Sequence, residues 1–159
     1  MTDSQSQNSL IRMKAMDLLA RREHSFFELK TKLLQKNFNE DAISQELHRL
    51  VDDHLLDDSR FTESFFSFSM RKGKGQLRIE SELQQRGVSN DVIQHFLLEV
   101  DDHEWIQIAT DVLKKKLGKA KQVDYDEKLK LMRFLSNRGF TNLQVIKAIR
   151  PFVANVDDE

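Results

Sequence analysis

Three adjacent aspartate pairs, Asp52-Asp53, Asp57-Asp58 and Asp101-Asp102, are the residues of this chain whose type could hold a divalent cation. Neighbouring side chains on a helix point about 100° apart, however. An Asp pair ahead of an apolar-periodic segment is equally explained by capping of the helix N-terminus and by the helix dipole. Capping accounts for the second and third pairs, and no metal site is assigned. The five histidines, His24, His48, His54, His95 and His103, show neither HExxH spacing nor an i, i+4 pair. The chain has no P-loop and no GxSxG, and Gly73-Lys74-Gly75 is too short to cradle a phosphate by itself. No catalytic residue and no cofactor are expected, and a magnesium-dependent nuclease built on the Asp pairs is the enzyme reading to test against.

Basic residues gather in two places. Arg71, Lys72, Lys74 and Arg78 surround Gly73 and Gly75, with Arg86 two turns beyond Arg78 on about the same helical face. Lys114, Lys115, Lys116, Lys119 and Lys121 follow one another without an intervening acid, and Lys128, Lys130, Arg133 and Arg138 come after them. Either cluster suits phosphates or an acidic protein surface. A solvated face, with cations that complement helix C-termini, is the alternative, above all for Lys114 to Lys116. Among the aromatics, Phe61, Phe65 and Phe68 stand at i, i+4 and i+7 and are expected in the core, whereas Phe66 lies off that stripe.

The elements that must position these residues are helices. One Pro and five Gly in 159 residues leave long stretches of Leu, Lys, Glu, Gln and Arg. The formal net charge is -1 with 32% charged residues, which excludes a simple polycationic nucleic-acid binder and makes local distribution decisive. Without Cys, neither a disulfide framework nor a thiolate zinc site can form. No run approaches the ~18 apolar residues of a membrane span. Residues 1–8 show no signal-peptide pattern and are expected to be a disordered lead; residues 154–159 are expected to be an acidic tail. A cytoplasmic monomer is expected.

Three segments share one pattern of basic, turn, apolar and capping residue: Lys36-Asn37-Phe38-Asn39, Arg86-Gly87-Val88-Ser89 and Arg138-Gly139-Phe140-Thr141. Gly or Asn allows the left-handed residue that ends a helix, and Asn, Ser or Thr then caps the next one. Each segment is therefore a helix-to-helix joint. Aligned on the joints, Leu29, Leu33, Ile43 and Leu47 match Ile79, Leu83, Ile93 and Leu97, and then Leu131, Leu135, Val145 and Ile149. These spacings give one apolar stripe per helix. Ser25 with Glu28 and Thr141 with Gln144 have capping-box spacing. A further helix is expected upstream of each pair, over 11–22, 59–72 and 103–117. The outcome is an all-α array of three three-helix repeats, 9–56, 57–100 and 101–153, elongated and stacked because units this small have marginal cores alone.

The central repeat carries His54-Leu-Leu-Asp-Asp-Ser-Arg-Phe61, Arg71-Lys-Gly-Lys-Gly-Gln-Leu-Arg-Ile79 and Glu82-Leu-Gln-Gln-Arg-Gly-Val88. With Ala20-Arg-Arg-Glu-His-Ser25, Glu28-Leu-Lys-Thr-Lys-Leu33 and Arg133-Phe-Leu-Ser-Asn-Arg-Gly-Phe140, it resembles the RecX family of RecA regulators over nearly the whole chain. His54, Leu55, Thr62, Lys74 and Gln76 depart from the residues common there, as does Asn37 in place of Gly. The resemblance implies tandem three-helix units that bind RecA and its filament on single-stranded DNA, and repress recombinase, ATPase and coprotease activity in DNA repair and the SOS response. Direct DNA contact is a further expectation. An autonomous DNA-binding module is the competing reading, since helix, tight turn and helix resembles a helix-turn-helix. Residues 90–100 contain no Lys or Arg but do contain Asp91 and Glu99, which speaks against major-groove reading.

Overall fold

A computed structural model describes residues 2–119 and 122–153, with side chains from residue 5 onward. Lys121 and the acidic tail 154–159 lie outside the described residues. Among the described residues, nine α-helices follow in order: α1 Thr2–Arg21, α2 Phe26–Leu34, α3 Glu40–Asp52, α4 Asp58–Arg71, α5 Gln76–Gln85, α6 Asn90–Leu97, α7 Asp102–Leu117, α8 Tyr125–Asn137 and α9 Asn142–Ile149. A 3-10 turn, Arg150–Phe152, closes the series. Among the described residues, β-pairing is confined to one bridge, Val123 with Val153.

The joints have the geometry their residues call for. Asn37, Gly87 and Gly139 sit at φ 66°, 75° and 102°, and each ends one helix and hands over to the next. Asn39 accepts from the Ala42 N–H, and Ser25 and Thr141 form complete capping boxes with Glu28 and Gln144. Asp57 and Asp101 accept from the Ser59 and Glu104 N–H groups, so each is a helix cap. His54 also lies in the left-handed region, at φ 61°, where a side chain with Cβ costs about 1–2 kcal/mol.

Two expectations need correction. Helix α1 starts at Thr2, so residues 2–8 are helical and not a disordered lead. The segment holds no Gly or Pro to stop the helix that packs from Ile11 onward. In α4 it is Phe66 that is buried, whereas Phe68 is half exposed and Phe65 only partly covered. The buried stripe of α4 runs through Phe61, Thr62, Phe66 and Ser69. Thr62 can be buried because its hydroxyl donates to the Asp58 carbonyl one turn back, at 2.7 Å. Small polar residues on the inner face thus hid the true stripe from an apolar count.

The chain divides into two compact units: Met1–Phe65 with Leu83–Ile93, and Phe66–Glu82 with Gln94–Glu159. In the first unit α1, α2 and α3 pack on one another. Their core is Ile11, Ala15, Leu29, Leu33, Ile43, Leu47, Leu50 and Leu56, each aliphatic side chain contributing roughly 1.5–3 kcal/mol by leaving water. In the second unit α9 packs on α7 and α8, burying Trp105, Leu113, Leu135, Phe140 and Ile149 among others. Eleven of the twelve aligned repeat positions are buried; Leu97, the last residue of α6, is only partly so.

Each unit holds one junction between consecutive repeats, and the two junctions are built alike. In the first, the Ser25 hydroxyl donates to the Arg86 carbonyl at 2.8 Å, and Gly87 lies against Phe27. In the second, the Gly75 N–H donates to the Arg138 carbonyl at 2.8 Å, and the Leu77 N–H to the Gly139 carbonyl at 2.9 Å. Ser25 and Gly75 are equivalent positions, four residues before Leu29 and Ile79. The joint of each later repeat therefore docks on the start of the second helix in the repeat before it.

Candidate functional site

Within the second unit, the C-terminal end of α4, the outer half of α7 and part of α8 line a cleft of about 1000 Å³. Its apolar lining is Met70, Ile108, Val112 and Phe134. Its cationic lining is Arg71, Lys72, Lys114, Lys115, Lys116 and Arg138, and the acid among the lining residues is Asp111. Arg71 and Lys72 of the first basic cluster thus meet Lys114–Lys116 and Arg138 of the second, more than forty residues on in the chain.

Local structure explains why. Gly73, at φ +78°, terminates α4, and a Cβ there would come within 2.6 Å of the Val112 side chain on α7. The close approach seats the end of α4 against α7, bringing Arg71 and Lys72 to Lys114–Lys116. Arg138 arrives from the α8–α9 joint and donates to the Lys72 carbonyl at 3.0 Å, with Gly73 O at 3.4 Å. It bonds carbonyls just past the last residue of α4. Its guanidinium lies 5.0 Å from the Phe134 ring centroid, and the Lys116 ammonium lies 4.1 Å from the same ring, an arrangement that favours cations on the aromatic face.

The helix ends and the neighbouring acid offset only part of this positive charge. The C-termini of α4 and α7 each carry about half a negative charge, and Asp111 adds one. Against the six cations this leaves a surplus of roughly four positive charges. Complementing the helix ends accounts for only a small part of the set. The arrangement can hold a polyanion over an apolar, aromatic-lined surface.

The other sequence candidates lie elsewhere. Lys74 and Arg78 both bond Glu82, at 2.9 and 3.0 Å. Burial raises the Glu82 carboxyl, but the two basic partners outweigh it and hold it below the ordinary glutamate value. Arg86 belongs to the first unit, 3.7 Å from Glu28 and stacked 4.6 Å from the Phe65 centroid. Lys119 and Arg133 are exposed and outside the cleft lining. Sequence reasoning missed Phe134; its signal was the i, i+4 spacing to Arg138, the reach at which a guanidinium covers a ring.

The first unit holds a second polar cluster. His24 is buried, with Nδ1 3.0 Å from the Arg22 carbonyl and Nε2 3.0 Å from the Lys32 ammonium. A carbonyl only accepts, so Nδ1 carries the proton and Nε2 accepts from Lys32. Burial, opposed by the Arg22 carbonyl but joined by the Arg22 and Lys32 charges, pulls the imidazole below its ordinary value. Among the described residues no three His, Asp or Glu side chains come together to hold a metal, and no helix is long and apolar enough to cross a membrane.

Comparison with known proteins agrees with the repeat. Residues 12–50, 57–97 and 102–149 match the models of the first, second and third three-helix domains of RecX. A regulatory protein RecX of Halorhodospira halophila is 36% identical over 159 residues, covering 100% of this chain and 97% of that protein. That of Pseudomonas savastanoi pv. phaseolicola is 42% identical over 130 residues, 82% of this chain and 83% of the relative. Among solved structures, the crystal structure of RecX from Lactobacillus salivarius superposes with a TM-score of 0.79 at 21% identity, over 91% of this chain and 96% of that one.

Proposed function

The chain belongs to the RecX family of regulatory proteins, and on that premise we propose that it binds RecA and RecA filaments on single-stranded DNA and limits their recombinase, ATPase and coprotease activities. It does so as a cytoplasmic monomer, in DNA repair and the SOS response, with no catalytic step or cofactor of its own. The observation that carries this reading is the cationic surplus of the cleft on a molecule whose formal net charge is -1. Such local concentration suits a phosphate backbone or an acidic protein surface and leaves the rest of the surface unattractive to either.

RecA on single-stranded DNA should retain the protein in pull-downs, and substoichiometric amounts should lower its ATPase rate and strand exchange. No retention together with unchanged activity would sink the proposal. Replacing Arg71, Lys72, Lys114, Lys115 and Lys116 by Ala together should weaken retention while the circular dichroism spectrum stays helical. Full retention by that variant would move the interface off the cleft.

A further inference from the structure

Phe68 is the large aromatic of α4 that the core does not use. Half of its surface is exposed, while the same helix buries Phe61 and Phe66. It stands three and four residues before Arg71 and Lys72, so the three side chains share one face. The Lys72 ammonium lies 5.4 Å from the ring centroid, and Lys72 also lines the basic cleft. Ring and cleft are therefore joined at one side chain.

We propose that Phe68 is a stacking platform for an unpaired base of single-stranded DNA, whose flanking phosphates are held by Arg71, Lys72 and the lysines of the cleft. The inference deepens the reading above and rests on the cleft meeting the DNA of the filament. Three physical points support it. An open aromatic face accepts any base, because every base has a π-face. Bases in a duplex are already stacked on their neighbours, so a ring at the protein surface discriminates for the single strand. The negative end of α4, which would repel phosphate, is covered where Arg138 caps the Lys72 and Gly73 carbonyls. A protein partner seating an apolar anchor on Phe68 is the competing explanation, but a ring flanked at i+3 and i+4 by two cations suits the stacked base and its phosphates better.

The test measures binding of a short labelled oligothymidylate, and of the same strand in a duplex, to the full chain without RecA. Phe68→Ala should lower oligothymidylate affinity about tenfold, the loss of one stacked base, with the salt dependence and the duplex affinity unchanged. Phe68→Trp should keep the affinity, and its fluorescence should be quenched on binding; the native Trp105 is buried and provides a constant background. Equal oligothymidylate affinity of Phe68→Ala and the native protein would overturn the inference, as would an equal loss for single strand and duplex, or no binding by the native protein. RecA–DNA pull-downs run in parallel separate the two proposals. If Phe68→Ala loses RecA retention but keeps its oligothymidylate affinity, Phe68 is a protein anchor and the regulatory reading stands. If the native protein neither binds the oligonucleotide nor affects RecA, both fall.

Discussion

A neutral, buried imidazole makes His24 the residue most sensitive to mild acid. Its folded value is lowered, so the native state resists a proton that the unfolded chain accepts near the ordinary value of about 6.5. Protonation of the native state would also set a charged ring against the Lys32 ammonium and the nearby Arg22, with Glu28 the acid in reach. The sign follows: the stability contribution of His24 is complete above about pH 6.5 and is lost as pH falls from there towards the folded value. Glu28 and Glu82, both held low, extend the loss below the ordinary glutamate value. Asp58, raised mainly by burial, acts in the opposite sense. The urea midpoint should therefore begin to fall between about pH 6.5 and 5, before carboxylates titrate. An NMR titration of His24 with a midpoint at or above the ordinary histidine value would refute this. None of it could be read from His24 in the sequence, where the residue has no spacing partner; Arg22 is two residues before it, but Lys32 meets it only through the path of α2.

At the scale of elements, the joints were readable and the junctions were not. The basic-turn-apolar-cap pattern located three helix ends and three helix starts, since a cap needs only its own neighbours in the chain. What the joints dock on depends on the preceding repeat, about sixty residues away. Gly75 shows the consequence. It lacks a positive φ, yet a Cβ there would stand 2.3 Å from the Gly139 carbonyl carbon and 2.4 Å from the Phe140 nitrogen. Backbone cannot yield as a flexible side chain does, and the Gly75 and Leu77 bonds to the joint would part. Gly75→Ala should therefore destabilise the protein by about 2–4 kcal/mol, the loss of two backbone bonds with their buried groups left unsatisfied. Gly118→Ala is the control: a Cβ there meets nothing within 4 Å, so only its backbone conformation, φ 60° and ψ -121°, opposes the change, by about 1–3 kcal/mol. Urea unfolding of the two variants decides it, and a smaller loss for Gly75→Ala than for Gly118→Ala would show that the junction can give way. The same logic explains the misread face of α4, where Thr62 and Ser69 occupy inner positions that an apolar count assigns to Phe65 and Phe68.

For the whole molecule, the two units follow from the repeat junctions: residues of the middle repeat cluster with the first repeat around Ser25, Phe27 and Gly87, and with the third around Gly75, Arg138 and Gly139. Three repeats in sequence thereby become two compact bodies, and the cations of both clusters that line the cleft belong to the second one. Composition alone gives a net charge near zero and no reason to expect an anion site, whereas folding concentrates a surplus of about four positive charges in one cleft. Salt dependence measures that concentration directly. Neutralising about four phosphates of a single strand gives a slope of log K against log salt near -3, at roughly -0.7 per phosphate. Arg71→Ala or Lys115→Ala should each make the slope shallower by about 0.7. Arg78→Ala should change it little, because its guanidinium is spent on Glu82. Equal effects of all three substitutions would mean that binding responds to overall charge, and the cleft would lose its place as the site. Arg138 separates the two kinds of cation most sharply. Its guanidinium already serves the Lys72 carbonyl and the Phe134 face, so Arg138→Ala should lower the unfolding midpoint as well as the affinity, whereas Arg71→Ala should lower the affinity alone.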